Sequence, residues 1–239
     1  MRFYYFLAIS LFVVLISACS SRNEGIQPSH CAAAIAETHN SPPLARNLGR
    51  TYILDGIWGN HVRWVPLCRR IGDDCRNWHY DNSGKTPISV LGAELAAELS
   101  TNVESGKTVN LVGFSLGGLM IREALRIAPE TPVRRVVLIH TAHRGSETGR
   151  LAPPALPACR DIIPNSTFLR RLDTAEWNYE TLAIWCPGDL MVIPGWSAKF
   201  PKATTLLRCD VPAHAWPVVS KTYHDTIVRF LNVPHNHTK

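Results

Sequence analysis

The stretch VNLVGFSLGGLMIREALRI, residues 109–127, decides the fold. It places Ser115 between an apolar run and a helical pattern, with Gly113 two positions before it and Gly117 two positions after. A G-x-S-x-G segment in this setting is typical of a nucleophile elbow, where a strand turns sharply into a helix and exposes the serine hydroxyl. Glycines are needed because such a turn brings backbone segments close together. The stretch therefore predicts a strand, a nucleophilic serine and a helix, in that order.

Strand patterns alternate with helical patterns on both sides of this stretch. The strand patterns cover residues 51–59, 76–80, 108–114, 133–142, 179–189 and 203–214. The helical patterns cover residues 61–72, 88–100, 117–128 and 217–233. Such alternation is typical of a parallel sheet with right-handed crossovers. We predict an α/β fold: a single doubly wound domain over residues 49–239, with a mostly parallel sheet and its site at the carboxyl ends of the strands.

Residues 144–173 interrupt the alternation with Pro-rich sequence. An irregular segment of this length in a compact domain is usually functional. Within it, residues 150–165 suit either a lid over a lipid site or a loop tied down through Cys159. The sequence leaves both interpretations open.

The first nineteen residues have the pattern of an export signal. An early Arg2 is followed by an apolar run of about fourteen residues, which is short for a membrane span. The last four residues, 16–19, resemble the bacterial lipobox, which implies cleavage after residue 18 and a lipid on Cys19. The alternatives are a plain signal peptide with an incidental Cys19 and an uncleaved anchor helix. On the lipobox interpretation residues 1–18 are the signal peptide, and residues 19–48 carry the lipidated Cys19 and a polar tether.

Lipidation at Cys19 would place the protein in the bacterial cell envelope. With Ser20 after the cysteine, the same resemblance favours the outer membrane, facing the periplasm. Six further cysteines then lie in an oxidising compartment, so three disulfides are plausible among fifteen pairings. The bridges suggested by position are Cys68–Cys75, which closes a short loop, and Cys186–Cys209, which links the ends of two successive strand patterns.

Charge and motif content exclude several classes of function. The formal net charge is +6, but the basic residues are scattered, with no basic stripe or nucleic-acid-binding module. No Cys or His cluster has the spacing of a zinc site, so we expect neither a metal nor another cofactor. The oligomeric state stays open.

A serine nucleophile needs a base within hydrogen-bond reach and a carboxylate that orients the base. Asp189 follows the strand pattern LAIWC directly and is the candidate acid, with Asp210 in reserve. His214 lies between the last strand and the last helix and is the candidate base. Its rival, His224, lies inside the final helical pattern.

Two other histidines come before the acid in the chain. His140 and His143 would give an order that differs from nucleophile, acid, base, so we do not expect either to be the base. His143 remains a candidate for lining the site.

Together these segments resemble the lipase and esterase branch of the α/β-hydrolase fold over about residues 50–233. GFSLGGLMIREAL resembles its nucleophile elbow, PGDLMVIP its acid turn and HTAHRGS a T-P-H-x-G-S segment, although Ala142 replaces the proline. The resemblance implies a catalytic triad of Ser115, Asp189 and His214 in the family's order.

The resemblance also implies an oxyanion hole made of two backbone amides. One should belong to Leu116, the residue after the nucleophile, and the other to Ile57, with Trp58 as the alternative. The family usually has His-Gly before this turn, whereas this chain has Asp55-Gly56. A carboxylate near an oxyanion is unfavourable unless it is paired or points away.

The resulting prediction is a serine esterase or lipase that acts on an ester or acyl-lipid substrate and is held at the membrane by its N-terminal lipid. Two other functions stay open: an envelope acyltransferase with the same triad, and an inactive hydrolase-fold binding or scaffold lipoprotein. Binding of nucleic acid is not expected.

Overall fold

The computed structural model describes residues 50–104 and 106–232. The predicted signal peptide, Cys19 and the tether up to residue 48 lie outside this range. No helix in the described part of the chain is both long enough and apolar enough to cross a membrane.

A six-stranded, wholly parallel sheet forms the centre of the domain. Its strand order is β2-β1-β3-β4-β5-β6. The strands are β1 (Arg50–Leu54), β2 (Cys75–Asn77), β3 (Val109–Phe114), β4 (Val133–Ile139), β5 (Thr181–Trp185) and β6 (Thr205–Arg208). This confirms the predicted α/β class, the parallel sheet and the predicted sequence of strands along the chain.

Helices connect the strands and cover both faces of the sheet. They are α1 (Val65–Ile71), α2 (Ile88–Glu104), α3 (Leu116–Ile127), α4 (Pro157–Asp161), α5 (Thr167–Thr174), α6 (Trp216–Val219) and α7 (Lys221–Asn232). Short 3-10 helices cover His61–Trp64, Glu147–Leu151 and Gly195–Ala198. The sequence predicted one helix over 217–233, but Ser220 is extended and separates α6 from α7.

The core has two layers because successive side chains of a strand point to opposite faces. On β3, Leu111 packs in the layer that contains α2 and α3, whereas Val112 packs in the layer that contains α1 and α7. Both side chains are fully buried. The continuous apolar runs in the sequence are explained by this burial on both faces.

The described cysteines form one disulfide, Cys68–Cys75, which confirms the short bridge. The expected Cys186–Cys209 bridge is wrong, since both residues are buried free thiols. They extend neighbouring strands in the same register, so their side chains lie side by side, and both sulfurs contact the carbonyl oxygen of Val211. Cys159 is also a buried free thiol and ties nothing down.

Candidate active site

Ser115 is at the turn between β3 and α3. Its backbone has φ 53° and ψ −117°, a strained conformation for a residue with a side chain. The Ser115 N–H donates to the carbonyl of Ile139 at the end of β4, over 2.8 Å. This fixes the turn at the carboxyl edge of the sheet, where the sequence predicted it.

The glycines around Ser115 are required by close backbone contacts. A Cβ on Gly113 would lie 2.7 Å from Gly118 Cα, and one on Gly117 would lie 2.5 Å from the carbonyl oxygen of Leu54. The first contact lets α3 pack directly on β3. The second brings the start of α3 against the end of β1.

Asp189 and His214 are brought together by the loops after β5 and β6. His214 Nδ1 lies 2.7 Å from Asp189 Oδ2, so the imidazole donates from Nδ1 and leaves Nε2 as the basic nitrogen. The other carboxylate oxygen, Oδ1, accepts the N–H groups of Met191 and Val192 at 2.7 and 3.1 Å. Asp189 is therefore fixed in a buried position with both oxygens bonded.

These contacts shift the pKa of both side chains. Burial works against ionisation of Asp189, but its hydrogen bonds with His140 and His214 hold the carboxyl pKa well below its ordinary range. Burial lowers the pKa of His214 below its ordinary value, although Asp189 opposes this. At neutral pH the pair is a carboxylate and a neutral imidazole, which is the state a general base requires.

The His214 ring also contacts the end of β3, the strand that precedes Ser115. Its centroid lies 4.8 Å from that of Phe114, the residue before Ser115. Among the described residues, Ser115 Oγ has no hydrogen bond to His214 Nε2. Such bonds are often long in enzymes without bound substrate.

The two candidate oxyanion positions differ in how their amides are engaged. The Trp58 N–H donates to the carbonyl of Asn82 over 2.8 Å and is occupied. Within residues 50–104 and 106–232, the amides of Ile57 and Leu116 have no acceptor. The geometry thus favours Ile57 over the alternative, Trp58.

Asp55, which stands where the family usually has histidine, is paired. Its buried carboxylate forms two contacts with the Arg63 guanidinium, one of them 3.0 Å from Nε to Oδ2, and it accepts the Gly56 N–H over 2.7 Å. A Cβ on Gly59 would lie 2.3 Å from the carboxylate, so the absence of a side chain there leaves room for it. Sequence reasoning missed Arg63, because an eight-residue separation across a turn carries no pairing signal.

The remaining candidates fall outside this group. Asp210 is paired with the exposed Arg208. His224 is on α7 and donates from Nε2 to the carbonyl of Val218 over 2.6 Å. His143 lines a cavity of about 480 Å³ whose lining includes none of the three triad candidates.

One histidine that sequence reasoning set aside does belong to the group. His140 Nδ1 lies 3.0 Å from Asp189 Oδ2. Its position directly after β4 was an available signal, since the other candidates also follow strand ends. His140, Asp189 and His214 offer three ligand-type atoms within 4.8 Å of one another, but the two N–O separations of 2.7 and 3.0 Å are those of hydrogen bonds.

Comparison with solved structures identifies the fold. The chain superposes on Bacillus licheniformis lipase BlEst2 in its mature form with a TM-score of 0.57 and 19% identity, covering 82% of this chain and 95% of that one. For Paleococcus ferrophilus monoacylglycerol lipase the TM-score is 0.54 and the identity 13%, with 76% and 93% covered. For Aspergillus fumigatus lipase B they are 0.54 and 19%, with 70% of this chain covered.

The chain spans 44% of the length of the Aspergillus lipase. No protein-family model matches the sequence, and no curated protein matches it either. At these identities the likeness shows the fold, and this fold is that of the α/β-hydrolases.

Proposed function

We propose that this α/β-hydrolase-fold chain is a serine hydrolase that cleaves carboxylic esters. The observation that carries the proposal is the 2.7 Å hydrogen bond between Asp189 and His214, at the sheet edge where Ser115 occupies its strained turn. A buried acid that orients a neutral imidazole, with a half-buried serine in a strained turn at the same sheet edge, suits nucleophilic catalysis.

In the proposed reaction, His214 Nε2 takes the Ser115 proton as Oγ attacks the ester carbonyl. The amides of Ile57 and Leu116 stabilise the oxyanion, and His214 then returns the proton to the departing alcohol. The resulting acyl-Ser115 is hydrolysed when His214 takes a proton from water and the water oxygen attacks the acyl carbon. The bond from the acyl carbon to Ser115 Oγ then breaks, His214 returns the proton to Oγ, and the carboxylic acid leaves. Asp189 stabilises the imidazolium that forms in each half-reaction.

Exposed apolar side chains close in the chain to the candidate site residues support an ester with an acyl chain. Trp58, Leu190 and Trp216 follow three different strands near the carboxyl edge, and 58%, 58% and 37% of their surfaces are exposed. Exposed large apolar groups near a reactive centre suit an apolar substrate. We further propose that lipid on Cys19 holds the domain at the outer membrane, facing the periplasm.

The pairing of Asp55 argues against the inactive scaffold alternative. Arg63 and the Gly56 N–H offset the carboxylate charge close to the Ile57 turn. The one departure from the family pattern that would oppose an oxyanion is thereby neutralised within the fold.

The test uses the full chain in detergent with p-nitrophenyl esters of increasing acyl length and with a fluorophosphonate probe. We expect wild type to hydrolyse esters and to be labelled, and Ser115→Ala to lose about a millionfold in kcat and all labelling. Ser100→Ala, at a serine of α2 whose hydroxyl only donates to the Ala96 carbonyl, is the control. Labelling without hydrolysis, with product formed only when an alcohol acceptor is added, would favour the acyltransferase. Neither labelling nor hydrolysis would favour the scaffold.

A further inference from the structure

A second histidine shares the acid with His214. His140 is fully buried, and its Nδ1 lies 2.9 Å from the backbone carbonyl oxygen of His214 and 3.0 Å from Asp189 Oδ2. A carbonyl oxygen only accepts hydrogen bonds, so His140 Nδ1 carries a proton. That N–H therefore joins the side chain of the candidate acid to the backbone of the candidate base.

The backbone holds the His140 ring in this position. His140 has φ 47°, in the left-handed region, and its N–H donates to the Ile184 carbonyl over 2.8 Å. The preceding carbonyl, that of Ile139, accepts the Ser115 N–H. The junction at the end of β4 thus contacts the turn of Ser115 and both other triad candidates.

Titratable groups surround His140 and His214. Asp189 and the Cys209 thiol face His140, while Cys186 and Tyr223 face Cys209. Burial opposes charging of His140, but Asp189 and Cys209 outweigh it and raise the pKa of His140 to about 9. On the other side, Arg63 faces His214.

A protonated His140 places a cation next to the candidate base. The centroids of the His140 and His214 rings are 5.6 Å apart, and both rings draw on the same carboxylate oxygen. Like charges at this distance disfavour each other, and sharing Asp189 weakens its support for charged His214. Both effects lower the pKa of His214, so that it stays neutral down to a lower pH.

We propose that His140 is a positioning residue of the active site, which holds Asp189 and the His214 backbone together and restrains protonation of His214. The inference rests on the proposed roles of Asp189 and His214 as acid and base. It adds His140 to the proposed site as a fourth residue. It also explains how the pH range is determined in which His214 is neutral and can act as the base.

Two variants distinguish the effect of the His140 hydrogen-bond donor from the effect of its positive charge. His140→Asn keeps an N–H donor near the Nδ1 position, carries no charge and tolerates a positive φ. His140→Ala removes both donor and charge. His224→Asn is the matched control, because His224 is also a buried histidine that bonds to a backbone carbonyl but does not contact Asp189.

We expect His140→Asn to move the acidic limb of the pH profile of kcat/KM to higher pH, because the pKa of His214 rises. The kcat on the plateau of the profile should change by only a few fold. His140→Ala should shift the limb in the same direction and also lower the plateau kcat by up to about a hundredfold, with KM little changed, because the acid and base lose their common support. His224→Asn should leave the limb where it is.

A second readout does not depend on activity. The ring resonances of His214 are followed by NMR as pH is varied, in wild type and in His140→Asn. A higher titration midpoint of His214 in the variant supports the inference, and an unchanged midpoint overturns it. If wild type neither hydrolyses esters nor reacts with the fluorophosphonate, the proposed function fails, but the NMR comparison still decides the coupling between the two histidines.

Discussion

Asp55 introduces a buried carboxylate two residues before the amide proposed for the oxyanion hole. It is compatible with the fold because Arg63 and the Gly56 N–H satisfy its oxygens. Tyr80 adds a hydrogen bond from its hydroxyl to the Asp55 carbonyl, over 2.5 Å. These bonds hold the turn after β1 and thereby the position of Ile57.

Arg63→Met should destabilise the protein by about 3 kcal/mol, because it leaves the buried Asp55 carboxylate without its counter-charge. Urea unfolding measures the change in the free energy of unfolding. Adding Asp55→Asn to the variant should recover most of the loss. Arg208→Met is the control, since it breaks an exposed pair with Asp210 and should cost less than about 1 kcal/mol. Equal losses of unfolding free energy in Arg63→Met and Arg208→Met would contradict the claim that burial of Asp55 makes its pairing important.

Between elements, the contact of α3 with β1 sets the geometry of the site. The missing side chain of Gly117 lets the first turn of α3 approach the carbonyl oxygens of Leu54 and Asp55. Leu116 and Ile57, whose amides we assign to the oxyanion hole, lie on either side of this contact. The spacing between the two amides is therefore set by how closely a helix and a strand pack.

Gly117→Ala should lower both stability and activity. A Cβ would lie 2.5 Å from the carbonyl oxygen of Leu54 and 2.6 Å from that of Asp55. These clashes can be relieved only if the end of β1 and the start of α3 move apart. We expect a loss of about 1–3 kcal/mol in the free energy of unfolding and a drop in kcat larger than any change in KM. For comparison, Gly188→Ala meets only Pro212 Cβ, at 3.5 Å, and should change stability little. Full ester hydrolysis by Gly117→Ala would argue against the assigned hole.

At the scale of the whole molecule, several histidines are buried in the neutral form. His143 stacks on Phe200 with ring centroids 4.5 Å apart, and neither of its ring nitrogens has a partner among the described residues. Burial, together with the nearby Arg122 guanidinium, lowers the pKa of His143 well below its ordinary value. Below a pH of about 6.5 the unfolded chain therefore takes up a proton at this position that the folded chain does not.

Because the unfolded state binds more protons there, stability should fall as pH drops below about 6.5. His143→Phe keeps the stacking and removes the titrating group, so its free energy of unfolding should fall by about 1.4 kcal/mol less per pH unit than that of wild type. Urea unfolding between pH 7 and pH 5 measures both slopes. Parallel slopes would show that His143 does not titrate differently in the folded and unfolded chains.

The sequence by itself determined the class of fold, the order of its elements and the three triad candidates. Strand and helix patterns are local, since they reflect the alternation of buried and exposed positions along a few residues. Ser115, Asp189 and His214 could be chosen because each lies at or in the loop after the carboxyl end of a strand, and parallel strands bring these ends to one edge.

Only the tertiary structure decided which side chains meet at that edge. The pairing of Asp55 with Arg63, the preference for Ile57 over Trp58 and the second contact of Asp189 with His140 depend on sheet register and on the paths of loops. The same register leaves Cys186 and Cys209 side by side as free thiols. Such contacts form across turns and between loops, and no local pattern of hydrophobicity or charge encodes the distance between the residues that they join.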